Sequence, residues 1–110
     1  MSVDPELLVT DPNRRIHKYP LTLADHQTIY IPTDAPCAAV LHVAFQNSVL
    51  CLWAEVDLEL STLPVEVFVV GTGNPMPEGA HMYLGTVQAN GLVWHVYIAH
   101  DGDHEDIEDE

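Results

Sequence analysis

Positive charge is what this sequence has least of. Three Lys and Arg stand against 17 Asp and Glu, for a formal net charge of −14. All three bases, Arg14, Arg15 and Lys18, fall in one short segment, and none follows Lys18. Contact with a phosphate backbone needs several such residues, so duplex nucleic acid is disfavoured as a partner. Cysteine is scarce too, with Cys37 and Cys51 alone. Two such residues make no disulfide framework and no Cys-x-x-Cys pair, and they read as reduced, buried thiols in a cytoplasmic setting. No apolar run approaches the roughly 18 residues of a membrane-spanning helix, so no membrane partner is expected. The start, Met-Ser-Val-Asp-Pro-Glu, has neither a basic segment nor an apolar one, so no secretory signal is expected.

What is present is apolar and β-like. A chain of 110 residues, 47% of them hydrophobic, is one domain with enough core to fold without staples. Acidic residues gather at its ends. Asp4, Glu6 and Asp11 lie in an arm, residues 1–13, and seven of the last ten residues are acidic. The block 101–110 is a like-charge tail with nothing to pack. Between them, residues 14–100 form the expected folded domain.

The densest apolar stretch runs from Cys37 to Asp57. Two β-type runs flank Gln46-Asn47-Ser48, a hairpin signal. A two-residue turn at Asn47 and Ser48 sets Phe45 opposite Leu50, Val43 opposite Leu52 and Leu41 opposite Ala54, all on one apolar face. The other face pairs Ala44 with Cys51, His42 with Trp53, Val40 with Glu55 and Ala38 with Asp57. A second hairpin turns at Asn90-Gly91, the strongest short turn signal. It pairs Val87 with Trp94, Gly85 with Val96, Tyr83 with Ile98 and His81 with His100, and on the reverse Thr86 with His95 and Leu84 with Tyr97. Trp53 and Trp94 are both expected to be largely buried. Further strands are expected at Arg15–Leu21, Gln27–Ile31 and Val65–Gly71, with an irregular connection over Leu58–Pro64. The whole reads as an all-β, single-domain antiparallel β-sandwich or small barrel of about seven strands. Val65–Val70 is apolar on both faces and lacks Pro. It is therefore either central in a sheet or buried against a second copy, and a homo-oligomer is expected.

No catalytic motif is complete, and the chain does not read as an enzyme. Seven histidines are present, but without His-x-His or His-Glu-x-x-His spacing they do not make a zinc site. The weak metal candidates are His81 and His100, predicted cross-strand neighbours; the plainer reading is isolated surface histidines. Gly71, Thr72, Gly73 and Asn74 follow a strand, and their amides would form an anion-binding nest if they converged. The absence of Gly-Lys-Ser/Thr and the presence of Pro75 and Pro77 exclude a Walker loop there. His42 opposite Trp53 would make a floor for a planar ligand, or else a second core layer. Ser48, Ser61 and Cys51 lack the neighbours that activate a nucleophile. No cofactor is implied.

Four segments carry a family resemblance. They are Ile16-His17-Lys18-Tyr19-Pro20-Leu21, Leu52-Trp53-Ala54-Glu55-Val56-Asp57, Val70-Gly71-Thr72-Gly73-Asn74-Pro75, and Tyr83–Gln88 running on to Leu92–Tyr97. In order and spacing the chain resembles a family of small proteins of tailed bacteriophages whose function is unknown. The resemblance implies a phage protein acting in the bacterial host cytoplasm or in the virion, and it carries over no catalytic residue. The function expected is a non-enzymatic phage accessory protein that sequesters a small anionic or planar ligand or inhibits a host (defence) protein. The alternatives are a virion structural or decoration protein of capsid or tail, and a small metal-dependent enzyme.

Overall fold

The computed structural model describes residues 10–79 and 81–99. Among them are seven strands and one helical turn: β1 (Arg14–Pro20), β2 (His26–Pro32), α1 (Pro36–Ala39), β3 (Val40–Gln46), β4 (Val49–Asp57), β5 (Thr62–Gly71), β6 (His81–Ala89) and β7 (Leu92–Ala99). They form two antiparallel sheets, β1-β4-β3 and β2-β5-β7-β6, packed face to face as a sandwich rather than a closed barrel. The first nine residues and the acidic tail lie outside the described residues, so the expected arm and tail are seen only at 10–13.

Period-two alternation builds the core. From β4, Leu50, Leu52, Ala54 and Val56 point inward; from β5, Val65, Val67 and Val69; from β7, Val96 and Ile98. Ile31, Leu52, Val56, Val67, Val96 and Ile98 are essentially sealed from water. Each such side chain contributes about 1.5–3 kcal/mol relative to exposure. β5 lies between β2 and β7, so Val65–Val70 is interior to its sheet and not an edge. Of the two alternatives the sequence left for this run, the central position is the one taken.

Both hairpin turns form as expected. Asn47 and Ser48 have φ of 52° and 68°, and Asn90 and Gly91 have 55° and 80°, positive at both central positions as type I′ turns require. Beyond the turns each hairpin departs from simple counting. In β3 the register shifts between Val40 and His42, so Val40 faces Ala54 and not Glu55, and Leu41 is squeezed out to 48% exposure. Residues 36–39 are helical, so the Ala38–Asp57 pair does not form either. In β6 the shift falls between Tyr83 and Gly85: Tyr83 faces Tyr97 and not Ile98, Met82 takes Ile98, and Leu84 is the extra residue. A bulge puts two residues against one, which strict alternation cannot anticipate.

Three further expectations need correction. Trp53 and Trp94 are only half-buried: Trp53 lies on the outer face of β4, and Trp94 faces inward at the sandwich rim, edge-on to Phe45 at 5.9 Å. Cys37 is half-buried rather than buried; its thiol donates to the Ala99 carbonyl at 3.2 Å, tying α1 to the end of β7. Thr62–Pro64 belongs to β5 and not to an irregular connection. Pro64 is tolerated because the pairing of β5 with β7 starts only at Val67, so at Pro64 the strand is paired on the β2 side alone.

Candidate functional site

The residues singled out from sequence fall in three places. His42 and Trp53 are cross-strand partners as expected, with ring centroids 5.9 Å apart and tilted by 40°. They sit on the outer face of the three-stranded sheet, His42 exposed, with Lys18 of β1 opposite the other side of Trp53. Lys18 reaches over β4 to donate to Gln46 Oε1 at 2.6 Å.

Gly71 closes β5, and Thr72, Gly73 and Asn74 turn away from it. The Asn74 amide donates to the Gly71 carbonyl at 3.0 Å, and Gly73 has φ of 95°, which is the left-handed position of a type II turn. The Thr72 amide donates to the Val93 carbonyl at 3.2 Å. Two of the amides an anion nest would use are therefore already spent, one within the loop and one on β7. Asn74 instead lines a cleft of about 270 Å³ with Asp25, His26, Phe68, Pro75 and Met76.

His81 pairs with Ala99, because the β6 bulge displaces the register that would have set it against His100. His100 lies outside the described residues. His81 Nδ1 bonds the Gly79 carbonyl at 2.8 Å, and its ring meets Tyr97 edge-on at 5.1 Å. Among the described residues no group of three or more His, Cys, Asp or Glu is placed to hold a metal ion.

The concentration of chemistry is elsewhere, on the outer face of the four-stranded sheet. Alternation turns His26, Thr28 and Tyr30 outward from β2, Glu66 and Phe68 from β5, and His95 and Tyr97 from β7. The Leu84 bulge turns Tyr83 outward from β6. The registers His26–Phe68, Phe68–Tyr97 and Tyr97–Tyr83 then align four rings in one row across all four strands. At the usual strand spacing the row is roughly 14 Å long. His26 stacks on Phe68 with centroids 4.9 Å apart and planes 18° from parallel, and Tyr83 meets Tyr97 at 5.5 Å. Tyr83 is 55% exposed.

Two polar groups flank the row. On one side Glu66 Oε1 accepts from Thr28 at 2.8 Å and bonds His26 Nε2 at 2.6 Å. Partial burial would raise the Glu66 pKa, but the bonds from Thr28 and His26 and the charge on the His26 ring outweigh it and hold the carboxyl below its usual range. On the other side His95 lies between two hydroxyls, Nε2 to Thr72 at 2.8 Å and Nδ1 to Thr86 at 3.0 Å; Thr86 in turn bonds the Tyr83 hydroxyl at 2.5 Å. No Lys or Arg lies on β2, β5, β6 or β7, since all three are on β1 in the other sheet. The face thus offers flat rings, hydroxyls and imidazoles, with one carboxylate and no permanent cation. Sequence reasoning found only Thr86–His95 of this set. The rest depends on pairing β2 with β5 and β5 with β7, strands distant in sequence.

No helix among the described residues is long and apolar enough to cross a membrane. No curated protein and no solved structure matches the chain. A family model described as a domain of unknown function, DUF7352, matches residues 12–106, and the chain belongs to that family.

Proposed function

We propose that this is a non-enzymatic binding protein and that its binding surface is the outer face of the four-stranded sheet. The observation that carries the reading is the row His26, Phe68, Tyr97 and Tyr83, which spans every strand of that sheet and leaves ring surface in water. Aromatic side chains outside the core, each beside a hydrogen-bonding partner, have the composition of a recognition surface. The residues flanking the row act as donors and acceptors, not as an activated nucleophile. With the phage-like motifs of the chain, the reading becomes a phage accessory factor in the bacterial host cytoplasm, holding a small ligand or blocking a host protein.

Native mass spectrometry of the protein recovered from infected bacteria tests this. The expected result is a bound small molecule or host protein that is lost when Phe68 and Tyr83 are both replaced by Ala. Retention of the bound species in that double variant would move the binding surface elsewhere. Recovery only in purified virions would replace the accessory role by a decoration role, and stoichiometric zinc would replace it by a metal-dependent one.

A further inference from the structure

Resting on that binding-face reading, we infer that the ligand class is a neutral oligosaccharide, lying along the ring row with its hydroxyls on the flanking polar groups. Three features of the face select this chemistry. The first is charge. With Glu66 present and every Lys and Arg on the opposite sheet, the face has no permanent cation to neutralise a phosphate, sulfate or carboxylate, and the His26 imidazole is already engaged by Glu66. Nucleotides and acidic glycans are therefore poor occupants.

The second feature is the arrangement of the rings. A flat heteroaromatic ligand gains most when clamped between parallel rings. Here Tyr83 and Tyr97 are 62° from parallel, and the one near-parallel pair, His26 on Phe68, is closed at 4.9 Å with no room for a ligand ring between them. Such a surface suits the C–H faces of successive sugar rings, each resting on a different aromatic face. The row is roughly 14 Å long, which is the reach of a short oligosaccharide and far beyond one small planar molecule.

The third feature is the polar flank. Sugar hydroxyls both donate and accept, and so do the groups available. The Thr72–His95–Thr86–Tyr83 chain can reverse its direction of donation, because a neutral imidazole donates from either nitrogen. Both protein bonds to Glu66 fall on Oε1, and Oε2 takes none from another described residue, so it remains to accept from a hydroxyl.

Aromatic ¹H–¹³C NMR of the full chain decides the matter. Cellohexaose, chitohexaose and maltohexaose are titrated separately, with adenosine and p-cresol as planar comparators. At least one hexasaccharide is expected to shift the Tyr83 and Tyr97 signals and to saturate. Tyr83→Ala is expected to weaken that binding about tenfold, the loss of one stacking contact. Tyr83→Phe, which keeps the ring and drops the Thr86 bond, is expected to weaken it less than about threefold. Ile16→Ala, exposed on the opposite sheet, should leave it unchanged. If adenosine or p-cresol binds the row and no saccharide does, the sugar is excluded while the binding face stands. If none of the five perturbs the row, the saccharide inference falls, and the binding face is then decided by native mass spectrometry of the Phe68 and Tyr83 double variant. A saccharide that binds with full affinity to Tyr83→Ala also overturns the inference.

Discussion

Ser48 is the most strained residue in the first hairpin. Its φ of 68° is a left-handed conformation that Asn47 beside it adopts readily and serine does not. The second hairpin solves the same problem with Gly91. Ser48→Gly is therefore expected to stabilise the fold by about 0.5–1 kcal/mol: the relief of left-handed strain exceeds the extra chain entropy of glycine. Urea denaturation at neutral pH measures it, and a loss of stability would show that the serine hydroxyl has an unrecognised role. Glu66 gives a pH dependence. Its folded pKa is depressed, so its contribution is complete above the unfolded value of about 4.3 and disappears as pH falls through the folded one. Glu66→Gln should be less stable than the parent at pH 6, by no more than about 1 kcal/mol because the pair is partly exposed, and the two should converge near pH 3. A gap that widened towards pH 3 would contradict that assignment. The turn residues were readable directly, since Asn-Ser and Asn-Gly report local backbone demands. Glu66 was not, because its partners Thr28 and His26 come from a strand about 40 positions away.

At the scale of elements, the two bulges decide which residues face where. Up to His42 in one hairpin and Gly85 in the other, counting back from the turns places every residue correctly. Past the bulges the parity inverts, and Tyr83 goes out while Met82 goes in. Hydrophobicity could not have shown this, because Leu41 and Leu84, the extra residues, are as apolar as the core positions they displace. The same region holds a close contact between sheets. A Cβ on Gly85 would lie 2.9 Å from Val43 Cγ1, and Val43 is a stiff, buried β-branched residue that cannot swing aside. Gly85→Ala is expected to cost about 1–3 kcal/mol. Val43→Ala in the same chain should recover part of that loss, so the pair would be non-additive in a double-mutant cycle. Strict additivity would mean that β3 and β6 do not press together at this point. The candidate site was illegible for a related reason. Two of the three pairings in its ring row join strands that are not neighbours in sequence and the third depends on the Leu84 bulge, so nothing local in His26 or Phe68 signals Tyr97.

For the whole molecule, an open sandwich must protect four strand edges. β1 carries Arg14, Arg15, Lys18 and Pro20, and β2 ends in Pro32. β3 and β6 have neither Lys nor Pro, and they are the two strands that are bulged. Each edge thus has its own obstacle to strand addition. The association expected from sequence rested on Val65–Val70 reaching an edge, and that run is interior. Sedimentation equilibrium at micromolar concentration should accordingly return the 12.2 kDa monomer. A mass that rises with concentration would mean that two copies join through a face. The extra residue in β6 has a last consequence, for descent rather than for packing. Because Leu84 sets the parity of everything before it in the strand, a relative with one residue fewer there can keep its ring row only by exchanging the apolar and aromatic residues at positions 82 and 83. Length and composition at that point should be inherited together, so that a single-residue gap in an alignment of the family travels with a swapped pair.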